Sequence, residues 1–404
     1  MNMKQSLVNN QTKHNNIRLS LNYRVKNTPE INSAISLSRI LGMVFIVLCL
    51  LELFRIFSML FIVAHHYVVN SGMMEQMSAN PFVINSLFFY VFGAWGKIGI
   101  NCFVMITGYF MCKSHITVKK FLKLLLEIEF YKIIIFLIFV ITGYQSFSIS
   151  SIAKAVIPVK IVSDGFGSAF IVFFLTIPFL NVLLHNLSEK MHLRLIVLCL
   201  FLYTFLSTVP GFGVTMNYVS WFIVIYFIAS YIRLYPKNVF EKTIVWGVAS
   251  LLSIAVSVIS IIACLRIGFS QYYFIADSNK ILAVITAFCL FMFFKNVKIP
   301  YIKFINVVAS ASFGVLLIHA NSDTMRQWLW KDTLQNAVVF NTQCCYLHFL
   351  VSVLGIYIIC TCIDLLRIYL LEKPFFRFYD KISPKIYSKF YSFENKVLTK
   401  FHLE

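Results

Sequence analysis

Long apolar stretches, separated by short polar joins, make up most of the chain. A helix that crosses a membrane needs about 20 mostly apolar residues. A lipid-embedded backbone must satisfy its own hydrogen bonds, and runs of this length are typical of helices rather than barrel strands. The pattern therefore predicts an all-α polytopic membrane protein with ten transmembrane helices, near 51–70, 86–111, 121–143, 168–187, 193–209, 217–234, 242–265, 281–296, 304–320 and 347–370.

The composition agrees with this fold class. Of the 404 residues, 59% are hydrophobic and 13% are charged, and the mean hydropathy is +0.81. Soluble domains carry about 25% charged residues, so the chain lacks the polar surface that a soluble fold needs. This excludes a soluble enzyme, a disordered chain and a secreted disulfide scaffold.

The distribution of basic residues predicts the orientation. With the N-terminus inside, 26 of the 35 lysines and arginines fall in cytoplasmic segments and seven in outer segments. Cytoplasmic loops are normally enriched in these residues, so both termini are predicted to be cytoplasmic. The net charge of +19 then indicates contact with anionic membrane lipids, and we expect no nucleic-acid partner.

Four regions follow from the pattern. Residues 1–35 are polar and are predicted to be a disordered cytoplasmic segment. Residues 36–50 are apolar, and we expect an interfacial or non-spanning segment there. Residues 51–371 form the predicted ten-helix domain, and 372–404 form a basic cytoplasmic tail. Because proline disfavours helix continuation, Pro374 is expected to end the last span.

Ionisable residues inside a membrane are costly, which makes each of them a functional candidate. Arg55 and His66 lie eleven steps apart in the first span. Eleven steps make about three turns and about 16 Å of rise, so the two side chains share one face. Arg55 is expected near the inner surface and His66 in the outer half. Glu52 lies one turn before Arg55, and His65 precedes His66.

Further candidates come from other spans. Lys97 and Asn101 are four positions apart in a glycine-rich helix and share a face, and His319 ends the ninth span. Glu129 and Lys132 are three apart and are expected to form a structural or lipid-facing pair. The alternative for Arg55, His66 and His319 is an interfacial role, with Arg55 reaching the headgroups and His66 capping its span near the outer surface. No loop gathers carboxylates, Cys or His at metal-ligand spacing, so no metal is expected.

Several of these residues resemble a known family. Leu51 to His66, with its Arg and His separated by ten residues, resembles the opening signature of the acyltransferase family 3 membrane proteins. Gly96 to Tyr109 resembles the second-span motif of that family. Ser312 to His319 and Glu372 to Pro374 are similar to its late motifs. Where members often carry a Trp-Phe pair opening the fourth span, this chain has Gly167 to Phe170.

The resemblance implies an O-acyltransferase of the bacterial cytoplasmic membrane. Such an enzyme moves an acyl group, usually acetyl, from cytoplasmic acyl-CoA to a hydroxyl of a capsule, exopolysaccharide, O-antigen or lipid-linked sugar on the outer side. The donor acyl-CoA is a substrate, and no bound cofactor is expected.

The same resemblance suggests roles for the candidates. Arg55 would grip the CoA phosphates. His66, together with His65, would act as general base on the acceptor or as a nucleophile that carries the acyl group. The residues expected to bind substrate or stabilise charge on the thioester oxygen are Glu52, Lys97, Asn101 and His319.

Two other classes of protein remain open on the sequence alone. A transporter or flippase of polysaccharide precursors commonly shows two inverted halves. The clear internal repeat here is instead short, with 38–47 nearly repeated at 54–63. A glycan polymerase would need large, charged outer loops, whereas the loop 210–216 carries no charge.

Overall fold

A computed structural model describes residues 50–159, 165–214 and 216–384. All regular secondary structure in this part of the chain is helical, with no strand, which confirms the all-α prediction. The predictions for 1–35 and 36–49 and for the end of the tail, 385–404, lie outside the described residues.

Sixteen helices, several of them short, are named here in chain order. They are α1 (Leu50–Val69), α2 (Met73–Ala79), α3 (Ile84–Gly93), α4 (Trp95–Met111), α5 (Val118–Ile141), α6 (Ile149–Val156), α7 (Phe166–Asn186), α8 (Glu189–Thr208), α9 (Tyr218–Leu234), α10 (Thr243–Arg266), α11 (Ile281–Asn296), α12 (Lys303–Ser310), α13 (Ser312–His319), α14 (Asp323–Arg326), α15 (Asn336–Val339) and α16 (Cys345–Pro384).

Each of the ten predicted spans is helical, but the helices differ in length and polarity. Within the described residues six are long and apolar enough to cross a membrane: α1, α3 with α4, α7, α8, α10 and α16. A seventh candidate is the pair Lys303–His319 and Asp323–Val339, which is bent by 92°. Helices α9 and α11 are shorter, and α5 carries three charged residues in its last eighteen. The count of ten crossings therefore stays a prediction.

Glycines of α4 allow its neighbours to approach closely. A Cβ at Gly99 would lie 2.7 Å from the backbone oxygen of Ser58 in α1, and one at Gly108 would lie 3.0 Å from the Cβ of Ala229 in α9. Small residues give this proximity in membranes, where association depends on close packing rather than on exclusion of water. This contact holds α1, the helix that carries Arg55 and His66, in place against α4.

A buried cluster of charges ties α16 to α5. The guanidinium of Arg367 lies 2.7 Å from Asp364 Oδ1, 2.9 Å from Glu372 Oε2 and 3.1 Å from Glu127 Oε1 of α5. The hydroxyl of Tyr131, also in α5, donates to Asp364 Oδ1 at 2.7 Å. Removing Arg367 would leave buried carboxylates uncompensated, which typically costs about 3–5 kcal/mol.

The expectation that the last long helix ends at Pro374 is wrong. Helix α16 runs on through Pro374 to Pro384. An interior proline lacks an N–H and its ring clashes with the carbonyl four residues earlier, here that of Leu370. The turn Ile368–Glu372 is π-helical, and this wider turn lies where the conflict would arise. The helix therefore continues without a normal α-helical bond at the proline.

Gly314 of α13 should not tolerate a side chain. A Cβ there would lie 2.2 Å from Asp364 Cγ, and Tyr131 and Arg367 hold that carboxylate in place. We expect Gly314→Ala to lower the free energy of unfolding by about 1–3 kcal/mol, the usual range for overpacking. The measurement is the midpoint of thermal unfolding in detergent.

The matched control is Gly355→Ala in α16, where a Cβ would meet nothing within 4 Å. Alanine is a better helix former than glycine by up to about 1 kcal/mol, so this variant should keep or raise the midpoint. Equal midpoints for the two variants would contradict the packing argument.

Candidate functional site

Two histidines from distant parts of the chain meet at one end of the bundle. His66, in the last turn of α1, places Nδ1 3.0 Å from Nε2 of His319, the last residue of α13. His319 is fully buried, and its Nδ1 lies 2.5 Å from the backbone oxygen of Val315. The two rings and the carbonyl form a continuous hydrogen-bonded chain.

That chain determines where the protons are. A carbonyl oxygen only accepts, so His319 Nδ1 carries the hydrogen in its bond to Val315. In a neutral imidazole the other nitrogen is then an acceptor, and His319 Nε2 accepts from His66 Nδ1–H. The remaining nitrogen of neutral His66, Nε2, carries a lone pair and is free to accept a proton.

A cavity of about 290 Å³ adjoins His66. Polar and charged side chains from five further segments line it: Lys132 of α5, Ser168 of α7, Tyr218 of α9, Asn321 between α13 and α14, and Arg326 of α14. The remainder of the wall is largely apolar. His66, whose Nε2 is the basic nitrogen, thus lines a small, partly open cavity together with two cations, two hydroxyls and one amide.

His65 is turned away from this cavity. Its Nδ1 lies 2.5 Å from the backbone oxygen of Gly93 at the end of α3. Its ring fits against Gly96, where a Cβ would lie 2.3 Å from His65 Cγ. The structure therefore brings His66 and His319 together and uses His65 to join α1 to the α3–α4 junction.

Arg55 and Glu52 lie together near the other end of α1. Their side chains form an ion pair at 2.8 Å, and the Arg55 guanidinium lies 6.0 Å from the ring centroid of Phe103. The Arg55 side chain is 24% exposed, so it is accessible to a ligand. Along the helix, Arg55 is separated from His66 by a rise of about 16 Å and Glu52 by about 21 Å.

Lys97 and Asn101 do not act as a pair. Asn101 is fully buried, where its Nδ2 donates to the Ser278 oxygen at 2.7 Å and its Oδ1 accepts from Trp221 Nε1 at 2.9 Å. These bonds tie α4 to its neighbours. Lys97 Nζ instead donates to the hydroxyl of Tyr218 at 2.9 Å and lies 3.5 Å from Asp277 Oδ1.

Lys97 lines a second, larger cavity of about 610 Å³. Asp277 and Lys280 also line it, and so do Tyr218 and Arg326. Because Tyr218 and Arg326 line the His66 cavity too, the two cavities share a wall. The wall formed by Tyr218 and Arg326 therefore separates a ligand in the larger cavity from the cavity that His66 lines.

The sequence analysis missed Ser168, Tyr218 and Arg326 as site residues, and it treated Lys132 as structural only. The predicted ion pair between Lys132 and Glu129 is confirmed at 3.0 Å, and Lys132 also donates to the oxygen of Ile157 at 2.7 Å. Arg326 follows His319 by seven residues, which was the available signal. Ser168 and Tyr218 give no comparable signal, because hydroxyls are common at span ends.

Comparison with known protein families gives one match. A family model described as an acyltransferase domain matches residues 50–366, which is most of the chain and includes both histidines of the pair. The chain belongs to acyltransferase family 3. No curated protein and no solved structure shows significant similarity to it.

Family membership confirms the resemblance seen in the sequence. The chain carries a membrane acyltransferase domain, which supports acyl transfer as its general activity. The match covers α1 through most of α16, so the histidine pair, both cavities and Arg55 all lie within the acyltransferase domain.

His319 should act on the reaction through His66. We expect His319→Leu to lower kcat for acyl transfer by about 10²-fold, within the range of general-base effects, because His66 would lose the acceptor that fixes its tautomer. His319→Gln keeps an amide oxygen that can accept from His66 Nδ1–H, so it should retain several-fold more activity than the leucine variant. The measurement is kcat in purified protein, with the KM for the acyl donor as a second readout.

The control for this comparison is His348→Leu. His348 bonds to the Tyr67 hydroxyl at 2.8 Å and lines neither cavity. The His348→Leu variant should keep kcat within about twofold of the wild-type value, as is usual for changes away from a reacting group. Equal loss in the leucine and glutamine variants of His319 would count against control of the tautomer.

Proposed function

We propose that the protein is an O-acyltransferase of the bacterial cytoplasmic membrane. It moves a short acyl group, most simply acetyl, from cytoplasmic acyl-CoA to a hydroxyl of an extracytoplasmic glycan such as capsule, exopolysaccharide or O-antigen, either free or lipid-linked. The observation that carries this proposal is that His319 fixes the tautomer of His66, whose Nε2 has no hydrogen-bond partner among the described residues, and that His66 lines a small cavity.

His66 is proposed to be the general base. Its Nε2 takes the proton of the acceptor hydroxyl while the hydroxyl oxygen attacks the thioester carbonyl. A C–O bond forms, the C–S bond then breaks, and the proton passes from His66 to the departing thiolate. The bond from His66 Nδ1–H to His319 supports the imidazolium that exists between these two steps.

The oxyanion of the tetrahedral intermediate has three candidate stabilisers in the same cavity. Lys132 and Arg326 are cations, and Tyr218 is a hydroxyl. Because the Tyr218 oxygen already accepts from Lys97 at 2.9 Å, its proton is available to donate towards the cavity. Donors that are held in place before the reaction stabilise developing charge effectively in a low-dielectric site.

Arg55 is proposed to bind the phosphates of acyl-CoA. A guanidinium pairs with phosphate through two parallel hydrogen bonds. The rise of about 16 Å from Arg55 to His66 is a length that an extended pantetheine arm can bridge. The polyanionic end of the donor would then stay at the inner surface while its thioester reaches His66.

The size of the cavity favours a short acyl group. A volume of about 290 Å³ lies at the low end for ligand sites, and the acceptor hydroxyl must share it. The space beside a sugar therefore favours an acetyl group over a long acyl chain.

The test is transfer of label from radiolabelled acetyl-CoA to surface glycan, in cells that carry the wild type or His66→Ala at matched membrane levels. We expect label with the wild type and a loss of at least about 10²-fold with His66→Ala, since a general base contributes that much or more. His185→Ala is the control, because His185 is exposed and, among the described residues, its ring bonds the oxygen of Asn181 one turn earlier.

Two results would contradict the proposal. Equal labelling by the wild type and His66→Ala would remove His66 from the chemistry. No labelling of any envelope glycan by the wild type would remove O-acetylation of glycans as the activity. Label that stays on the protein after denaturation and is absent in His66→Ala would instead show an acyl-imidazole intermediate in place of direct transfer.

Arg55 gives a separate prediction. We expect Arg55→Gln to raise the KM for acetyl-CoA by about 10-fold or more, because a charge-assisted bond to phosphate is worth about 1.5–3 kcal/mol. The measurement is steady-state kinetics at saturating acceptor, with protein level checked by immunoblot.

The matched control for Arg55 is Arg194→Gln. Arg194 is exposed on α8, where it contacts the sulfur of Met191 at 3.8 Å. It should leave the KM unchanged, and an unchanged KM in Arg55→Gln as well would remove Arg55 from donor binding.

A further inference from the structure

The larger cavity collects basic side chains from three separate helices or helix ends. Lys97 comes from α4, Lys280 precedes the first residue of α11, and Arg326 ends α14. Asp277 is the acidic residue among the side chains that line this cavity. Three cations thus face one carboxylate across a space of about 610 Å³.

The ion pairs do not neutralise this charge. Lys97 Nζ lies 3.5 Å from Asp277 Oδ1. Arg326 forms an ion pair at 2.7 Å with Asp323, whose side chain is 98% exposed and does not line the cavity. Lys280 donates to the backbone oxygen of Ser207, and within the described residues no carboxylate lies within 4 Å of its Nζ. An excess of positive charge therefore remains available to a ligand.

This clustering runs against the overall distribution of charge. Only seven of the 35 lysines and arginines fall in the predicted outer segments, yet three of those seven line this one cavity. Outer segments have no general need for basic residues, since enrichment is a property of cytoplasmic loops. The three cations are better explained by a ligand than by membrane orientation.

We propose that the acceptor is an anionic glycan, with a carboxylate or phosphate on or next to the sugar that is acylated. This inference rests on the proposed function and names the substrate class for the same site. The anionic group binds Lys280 and Arg326 in the larger cavity, and the hydroxyl to be acylated passes the shared wall at Tyr218 to reach His66. Charge-assisted hydrogen bonds give a carboxylate or phosphate a clear advantage over a neutral sugar.

The test uses matched pairs of acceptors with the full-length protein in nanodiscs. One pair is an oligogalacturonate and its carboxyl-reduced, neutral form. The other is a phosphorylated oligomannose and its dephosphorylated form. Two quantities are measured for each: the Kd for the glycan, and label transferred to it from radiolabelled acetyl-CoA.

We expect the anionic member of at least one pair to bind about 10-fold more tightly than its neutral partner, which corresponds to the loss or gain of one charge-assisted bond. Lys280→Gln should reduce that preference to about threefold or less. Lys331→Gln is the control, because Lys331 is an exposed basic residue of the predicted outer side that does not line the cavity, and it should leave the preference unchanged.

The outcomes separate this inference from the proposed function. Equal Kd values within both pairs, or a preference that Lys280→Gln leaves intact, overturn the anionic acceptor. Efficient transfer to the neutral members also overturns it while upholding O-acetylation. Preferential binding of anionic glycans without transfer to any glycan counts against the proposed function and leaves the anion-binding cavity standing. The pair that shows the preference identifies the anionic group as a carboxylate or a phosphate.

Discussion

The absence of water inside a membrane is the constraint on which this structure depends. A polar side chain there must find its partner within the protein. Arg367 meets three carboxylates, Asn101 uses both ends of its amide, and His65 bonds a backbone oxygen. The contact of Arg367 with Glu127 joins α16 to α5, and the bonds of Asn101 and His65 join their helices to other segments, whereas Asp364 and Glu372 lie in α16 itself. The polar groups therefore organise a bundle whose apolar faces would not by themselves distinguish one arrangement from another, because lipid is as apolar as leucine.

Against this background, an unpartnered polar atom is informative. The bond between the two histidines fixes His66 in one tautomer and leaves its Nε2 unoccupied beside a cavity. The same reasoning applies to Lys280, whose Nζ has a carbonyl partner but no carboxylate among the described residues. In both cases the surrounding fold has positioned the group without using up its capacity to bind. That is the property expected of a group reserved for substrate, and both proposals rest on it.

The sequence was most informative for features that depend on the geometry of a single helix. The spacing of Arg55 and His66, the ion pair of Glu129 with Lys132, and the helical character of each predicted span all depend on local geometry. The bond between His66 and His319 joins residues 253 positions apart, so no local pattern predicts it. For the same reason the sequence does not separate Lys97 from Asn101: both share a face and both contact α9, but Asn101 is buried and Lys97 lines a cavity. Pro374 was misjudged because a π-helical turn, which no residue in 368–372 announces, relieves its steric conflict.

The contact between Gly314 and Asp364 has a consequence for how the sequence can change over time. The carboxylate occupies the space that a side chain at 314 would need, and it is also a partner of Arg367. A larger residue at 314 requires a smaller one at 364, and a smaller one at 364 removes a counter-charge from a buried guanidinium. Neither position can change first without producing a less stable protein, so the two are evolutionarily coupled. Among relatives, the pair should be retained together or replaced together, along with the arginine.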